Sequence, residues 1–172
     1  MYDVLIIGAG PAGLFAAYEL IVNNPKLKIL LLDQGKFAKK RSCPMNKNNI
    51  PCVNCKPCNI MAGYGGAGTF SDGELNFVPK LGKSDLFKYM TEEEANKIID
   101  DTEVIFNKFG MDSEVYPSNM DEALEIKKKV TLAGARLLLI KQKHLGSDKL
   151  PMYIQNFTDF LSEKGVLISS VC

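Results

Sequence analysis

Residues 4–13 read VLIIGAGPAG, an apolar run that enters a glycine-rich turn. The glycines fit the spacing G-x-G-x-x-G, and the residues that follow, 14–20, have the composition of a helix. In such a turn Gly8 permits the sharp bend after the strand, Gly10 leaves room for a pyrophosphate, and Gly13 lets the helix pack closely on the strand. The stretch therefore predicts a strand, a phosphate-binding turn and a helix.

A second apolar run, residues 28–32, ends in Asp33. An acidic side chain at this place can accept hydrogen bonds from both ribose hydroxyls of an adenosine, and its charge would repel a 2′-phosphate. The alternative is a glycine turn in an ordinary strand–helix–strand unit that binds no ligand. Strand, helix and acid together favour a dinucleotide. The residues expected to hold it are Gly8, Gly10, Pro11, Ala12, Gly13 and Asp33.

Composition limits the class of protein. The chain has 172 residues, of which 46% are hydrophobic, and a net charge of +1, which suits a packed core and argues against disorder or a nucleic-acid-binding surface. The first apolar run carries Asp3 and is broken by glycines, unlike a signal peptide, and no apolar stretch is long enough to span a bilayer. We therefore expect a cytoplasmic protein with neither membrane nor nucleic acid as a partner, whose five cysteines are free, metal-bound or redox-active.

The order of the remaining elements indicates an α/β fold with a long insertion. Beyond residue 61, the predicted elements are helices over 91–109 and from a cap at Ser118 to about Ala133, a strand over 136–141, a helix capped by the loop 146–148, and a strand from Val166. The last strand is expected to rejoin the first sheet beside 4–7 and Leu30, as a parallel strand. The chain is thus predicted to be one incomplete nucleotide-binding domain, with a βαβ core over 1–35, a partly helical, cysteine-containing insertion over 36–145 and a return helix and strand over 146–172.

A second glycine segment, residues 63–73, reads GYGGAGTFSDG. It cannot form a regular helix or strand, because glycine loses too much conformational entropy there. Its main-chain N–H groups could approach a cofactor, with Thr69, Ser71 and Asp72 adding hydrogen-bonding groups. The alternative is a flexible surface loop.

Four of the five cysteines fall in residues 34–61, which show no apolar periodicity. Cys52, Cys55 and Cys58 have the spacing C-x2-C-x2-C, and Cys43 precedes a proline. These four could ligate an iron–sulfur cluster, although the usual Cys-Pro follows the triplet, or close a tetrahedral zinc site. Alternatively, two thiols could exchange electrons with a bound redox cofactor, with nearby basic residues favouring the thiolate, or all could be ordinary reduced cysteines.

Together, these segments resemble the uncharacterised FAD-dependent dehydrogenase family, of the type with two dinucleotide-binding domains. The resemblance is carried by residues 8–13, 43–44, 52–59, 65–73 and 144–149. It implies FAD in a Rossmann-like domain and oxidoreductase chemistry, and it names no substrate. It also favours cofactor contact for the second glycine segment. The contacts are expected at Gly65, Gly66, Ala67, Gly68 and Ser71.

The resemblance further implies a much longer protein, so that a missing C-terminal part of the same chain is expected to follow Cys172. His144, the only histidine, is a candidate acid–base group near the flavin, and the alternative is an ordinary surface histidine. NAD(P)H is a candidate electron donor. Two other classes stay open. One is an NAD-dependent dehydrogenase, whose ribose Asp33 would bind equally well; the other is a metal- or cluster-bearing electron-transfer or binding module without turnover.

Overall fold

The structure is a computed structural model in which residues 1–170 are described, so Cys172 lies outside the described residues. The chain divides into two compact units, one formed by residues 1–73 with the segment from Gly146 onward, and the other by residues 74–145. The strands are β1 Val4–Ile7, β2 Ile29–Asp33, β3 Glu74–Asn76, β4 Lys80–Leu81, β5 Ser84–Asp85, β6 Val115–Tyr116, β7 Gln142–His144 and β8 Leu167–Ser170. The helices are α1 Pro11–Asn23, α2 Pro44–Asn48, α3 Glu92–Lys108, α4 Met120–Leu132 and α5 Leu150–Glu163.

A parallel sheet of three strands lies at the centre of the first unit, in the order β1-β2-β8. Val4 pairs with Ile29, and Leu30 pairs with Leu167. The predicted α/β class and parallel sheet are therefore confirmed. The last strand pairs with β2 alone, on the side away from β1, and not beside Val4–Ile7 as expected.

One face of this sheet forms the core of the unit. Ile29 and Leu31 of β2 are completely buried. The rings of Phe15 in α1 and Phe157 in α5 meet edge to face, with centroids 5.4 Å apart, so the two helices pack together. Buried apolar residues of the unit include Ala9, Leu14, Ala17, Ile21, Ile29, Leu31, Phe157 and Leu161.

The opposite face of the sheet is apolar and exposed. Because side chains alternate along a strand, the register places Leu5 and Ile7 of β1 and Leu167 of β8 on the same face. They are 55%, 81% and 49% exposed. Parallel sheets normally have both faces covered, so this face has the character of a surface that another layer would cover.

In the second unit, β3 and β6 pair with β7 in an antiparallel sheet. Lys143 of β7 is 2% exposed, and its ammonium lies 3.1 Å from the carboxylate of Glu103 and donates a 2.7 Å hydrogen bond to Asn107. These contacts tie β7 to α3. The helix α3 begins with a capping box between Thr91 and Glu94, close to the start predicted from sequence.

No helix among residues 1–170 is long and apolar enough to cross a membrane.

The strand predicted over 136–141 is wrong. The strand of this region is β7, because β3 and β6 both pair with Gln142–His144. Leu138, in the middle of the predicted strand, is 66% exposed. The apolar run thus lacks the neighbours that would pair with it, and a strand is defined by its pairing.

Two predicted helix caps also differ. Asn119, and not Ser118, caps α4, because its side-chain oxygen accepts hydrogen bonds from the N–H groups of Asp121 and Glu122. The loop 146–148 does not cap α5. That helix has Lys149 at its N-cap, without a side-chain hydrogen bond.

The insertion predicted from residue 36 does not coincide with the second unit, which begins at Glu74. Residues 36–73 group with the parallel sheet because they are bonded to it. Tyr64, within this stretch, donates a hydrogen bond to the carbonyl of Ser169, and Gly35, directly before the stretch, accepts one from Ser170. The extent of a nucleotide-binding domain therefore remains a prediction.

Candidate functional site

The turn between β1 and α1 needs glycine at two of its three glycine positions. Gly8 has a φ of +101°, a conformation that residues with side chains rarely adopt. A Cβ on Gly13 would lie only 1.9 Å from the carbonyl oxygen of Gly8. A Cβ on Gly10 would meet its nearest neighbour, the Cα of Gly66, at an ordinary 3.9 Å. The fold therefore requires glycine at positions 8 and 13, whereas it would accept a side chain at position 10.

The start of α1 offers unpaired backbone donors. Gly10 is its N-cap, Pro11 occupies the first turn, and no side chain of the described residues caps it. The N–H groups of Ala12 and Gly13 are too early in the helix to bond to an intrahelical carbonyl. These donors and the positive end of the helix dipole together form a site suited to an anion such as a phosphate.

The side chain of Asp33 braces this turn. Its carboxylate is 9% exposed, and its two oxygens accept hydrogen bonds from the N–H of Ala9 at 2.8 Å and of Gly35 at 2.7 Å. The N–H of Gly8 donates to the carbonyl of Leu32 at 2.7 Å. Each carboxylate oxygen still has a second lone pair, so the predicted contact with a ribose stays a prediction, beside a structural role that the sequence did not reveal.

The second glycine segment lies directly against the first. The N–H of Gly65 donates a 2.8 Å hydrogen bond to the carbonyl of Ala9. A Cβ on Gly66 would lie 3.3 Å from the Cα of Gly10 and 3.4 Å from the ring of Pro11. The two glycine segments that the sequence singled out therefore form one continuous backbone surface at the start of α1.

The residues that follow Gly66 in the second segment form a short turn. Ala67–Phe70 form a 3-10 turn, and the hydroxyl of Ser71 donates to the carbonyl of Gly68 at 2.8 Å. A Cβ on Gly68 would meet nothing within 4 Å. The predicted contact of these residues with a cofactor stays a prediction.

Tyr64 anchors the second segment to the sheet. It is completely buried, its hydroxyl donates to the carbonyl of Ser169 at 2.9 Å, and its ring stacks on Phe37 with centroids 4.6 Å apart. Burial, followed by the nearby charge of Asp33, raises the pKa of Tyr64 to about 12. A large aromatic residue between glycines is the sequence signal that could have identified this anchor.

Arg41 is a second anchor that sequence reasoning missed. It is 6% exposed, and its guanidinium donates to the carbonyls of Asn59 at 2.9 Å and of Tyr64 and Gly66 at 2.8 Å each. A further hydrogen bond reaches the carbonyl of Ile60. Burial lowers the pKa of Arg41, and the charge of Asp33 opposes this effect. Arg41 thus joins the cysteine-containing stretch to the second glycine segment.

The four clustered cysteines line one cavity. Cys43, Cys52, Cys55 and Cys58 are unpaired thiols around a volume of about 300 Å³. Within residues 1–170, no group of three histidine, cysteine or acidic side chains is placed so that it could hold a metal ion. The structure therefore brings the predicted ligands to one cavity, but it does not arrange them for metal ligation.

His144 belongs to the second compact unit. It is exposed, belongs to β7 of the second unit and pairs with Glu74 of β3. Its acid–base role near a flavin therefore stays a prediction.

Comparisons with known proteins give short local matches. The chain is 48% identical over 42 residues to an uncharacterised protein of Methanosarcina barkeri, a stretch that covers 24% of this chain and 10% of that protein. It is 36% identical over 63 residues to the mitochondrial L-2-hydroxyglutarate dehydrogenase of Dictyostelium discoideum, which covers 36% of this chain and 14% of that enzyme. The matched stretches are thus small parts of both relatives.

Among solved structures, the L-amino acid deaminase from Proteus vulgaris aligns with 99% of this chain and 40% of its own, at a TM-score of 0.47 and 11% identity. No family model matches the chain. The resemblance to one particular dehydrogenase family therefore stays a prediction.

Proposed function

We propose that this chain carries the FAD-binding portion of a flavin oxidoreductase. The observation that carries the proposal is the contact of two glycine segments beside an uncapped helix start, where Gly66 lies against Gly10. The strand order, with Asp33 at the end of the middle strand, is that of one half of a doubly wound nucleotide-binding sheet. The local match to L-2-hydroxyglutarate dehydrogenase supports an oxidoreductase in general terms and does not extend to its substrate.

The residues present fit a dinucleotide. The N–H groups of Ala12 and Gly13 would hold its pyrophosphate, and the absence of a Cβ at Gly10 would let the phosphates approach the backbone. The free lone pairs of Asp33 would accept hydrogen bonds from the ribose. Along the second segment, the dinucleotide would be held by Gly65, Gly66, Ala67, Gly68 and Ser71.

Bound flavin would supply the hydride or electron transfer, while the chain binds and orients it. Gly10 is the most informative residue, because the fold would accept a side chain there. A glycine that the protein's own packing does not require is explained by a ligand that must come close to the backbone. NAD(P)H, zinc and an iron–sulfur cluster are not part of this proposal, because none of the described contacts supports them.

We further propose that another part of the same protein covers the exposed face of the parallel sheet. Ile7 is 81% exposed and Leu5 is 55% exposed. Covering these apolar side chains would stabilise the protein, because it would remove them from water. The two relatives found by sequence are much longer than the matched stretches, which leaves room for such a part.

The absorption spectrum of the purified protein, with metal analysis, tests the function directly. We expect the visible bands of a bound flavin, and FAD in the supernatant after denaturation. A colourless protein that NAD stabilises against heat would instead indicate an NAD-dependent dehydrogenase. An iron–sulfur chromophore without flavin would indicate an electron-transfer module, and either result would overturn the proposal.

A further inference from the structure

The cysteine cavity has features that flavin binding does not explain. Its volume of about 300 Å³ is at the lower end of the range for small-molecule sites. Cys52 and Cys58 are exposed, and Cys43 and Cys55 are partly exposed, so reagents in solution can reach the thiols. Lys56, a positively charged residue, is also among the residues that line the cavity.

The backbone around Cys58 is held in a defined turn. Its carbonyl accepts hydrogen bonds from the N–H groups of Met61 at 3.2 Å and Ala62 at 2.9 Å. The carbonyls of the next two residues, Asn59 and Ile60, are both held by Arg41. The turn that follows Cys58 is therefore fixed by hydrogen bonds to three successive carbonyls.

This arrangement favours the ionised form of the sulfur. Hydrogen bonds from the backbone N–H groups of Met61 and then Ile60 lower the pKa of Cys58. Burial opposes them to a smaller extent, and the charge of Arg41, the smallest of these effects, lowers the pKa as well. The thiolate is the nucleophilic form of cysteine, so a thiol in such surroundings reacts at a lower pH than an ordinary one.

We propose that the cavity lined by Cys43, Cys52, Cys55 and Cys58 is a thiol-exchange site, in which Cys58 is the attacking sulfur and the substrates are small organic disulfides that carry carboxylates. Cys58 first loses its proton to solvent. Its sulfur then attacks one sulfur of the disulfide, the old S–S bond breaks as the new one forms, and the other half leaves as a thiolate. The product is a mixed disulfide on Cys58. The ammonium of Lys56 selects the negatively charged substrate.

The test follows the reaction of the purified protein with the aromatic dicarboxylate disulfide DTNB by stopped flow. Near pH 6.5, about two units below the ordinary cysteine pKa, we expect one thiol per chain to react in a fast phase. Cys58→Ser should remove that phase and slow the first thiol release by about tenfold or more. The matched control is Cys172→Ser, a change at the fifth cysteine of the chain, which should keep it.

A second measurement tests the substrate class with dipyridyl disulfide, a probe that lacks carboxylates. Lys56→Gln should slow the reaction with DTNB by a few-fold and leave the reaction with the dipyridyl reagent unchanged. The proposal would be overturned if the fast phase survived in Cys58→Ser or vanished equally in Cys172→Ser. It would also be overturned if Lys56→Gln slowed both reagents alike. None of these readouts depends on bound flavin, so they can fail while the proposed function stands.

Discussion

The backbone N–H of Gly65 donates a 2.8 Å hydrogen bond to the carbonyl oxygen of Ala9. Ala9 is completely buried, and its own N–H donates to the carboxylate of Asp33. One residue, Ala9, thus connects the turn after β1, the acid at the end of β2 and the second glycine segment. Because these parts share hydrogen bonds, substitutions in any of them are expected to affect the same site.

Gly13→Ala should destabilise the first unit. The added methyl group would lie 1.9 Å from the carbonyl oxygen of Gly8, and backbone cannot move aside as a flexible side chain can. We expect a loss of about 1–3 kcal/mol in the free energy of unfolding, measured by urea denaturation. Gly68→Ala is the matched control, because its methyl group meets nothing within 4 Å. Equal stability of the two variants would contradict the close packing of α1 on the turn.

Arg41→Met should loosen the stretch that contains the cysteines and the second glycine segment. The change leaves the buried carbonyl of Tyr64 and the carbonyls of Asn59 and Gly66 without their charged donor, at a cost of about 1.5–3 kcal/mol. Limited proteolysis should then cleave between residues 56 and 66 much faster. The exposed Arg136 provides the control, and Arg136→Met should change neither stability nor cleavage. Unchanged cleavage in Arg41→Met would argue against its anchoring role.

Tyr64 should make stability depend on pH in the alkaline range. Its pKa is about 12 in the folded protein and about 10 in an unfolded chain, so its contribution is complete below pH 10 and is lost as the pH rises toward 12. The loss should approach about 1.4 kcal/mol per pH unit in that window, and Tyr64→Phe should remove this part of the pH dependence.

Tyrosinate absorbance gives an independent check of the same group. Wild-type protein should show one tyrosine that titrates near pH 12, and Tyr64→Phe should lack it. Tyr89, which is 81% exposed, serves as the control, so Tyr89→Phe should keep the late titration. A late titration that persists in Tyr64→Phe would show that another tyrosine is the buried one.

Ile7→Thr should reduce the binding of a hydrophobic dye to the 172-residue chain. Ile7 is 81% exposed on the uncovered sheet face, and a β-branched polar residue there keeps the strand while it removes apolar surface. Leu132→Thr changes an equally exposed residue of α4, and it should have a smaller effect on dye fluorescence. The same dye binding in wild type and Ile7→Thr would count against a patch that another layer covers.

The apolar runs and glycines near the start of the sequence predicted the first strands and helix well, because they mark where each of these elements begins and ends. The apolar runs at 4–7 and 28–32 correspond to strands β1 and β2. Gly8 forms the bend after β1, and Gly13 allows the close contact of α1 with that bend. The strand at 136–141 could not be rejected in this way. Its apolar residues satisfy the pattern of a strand, and only the pairing of β3 and β6 with residues 142–144 shows where the strand lies.

The sequence identified the glycines of the candidate site, but it did not identify the two residues that anchor the second glycine segment. Spacing alone placed the two glycine segments among the candidates, but their contact depends on Arg41 and Tyr64, whose hydrogen bonds span residues far apart in sequence. Arg41 is one of two arginines in the chain, and it belongs to no sequence motif that would have indicated its role. The cysteine spacing left metal ligation, a redox pair and ordinary thiols open, and the shared cavity became visible only in the coordinates.

The FAD content of purified Gly10→Ala protein tests the central claim most directly. The fold accepts the added methyl group, whose nearest neighbour is 3.9 Å away, whereas a pyrophosphate against the backbone would not. Ala133→Val, at an exposed position of the second unit, controls for the handling of variants. We predict that wild type and Ala133→Val retain FAD, and that Gly10→Ala loses most of it while it unfolds at the same temperature as wild type without cofactor. A Gly10→Ala protein with the full FAD content of wild type would contradict the placement of the dinucleotide at this turn.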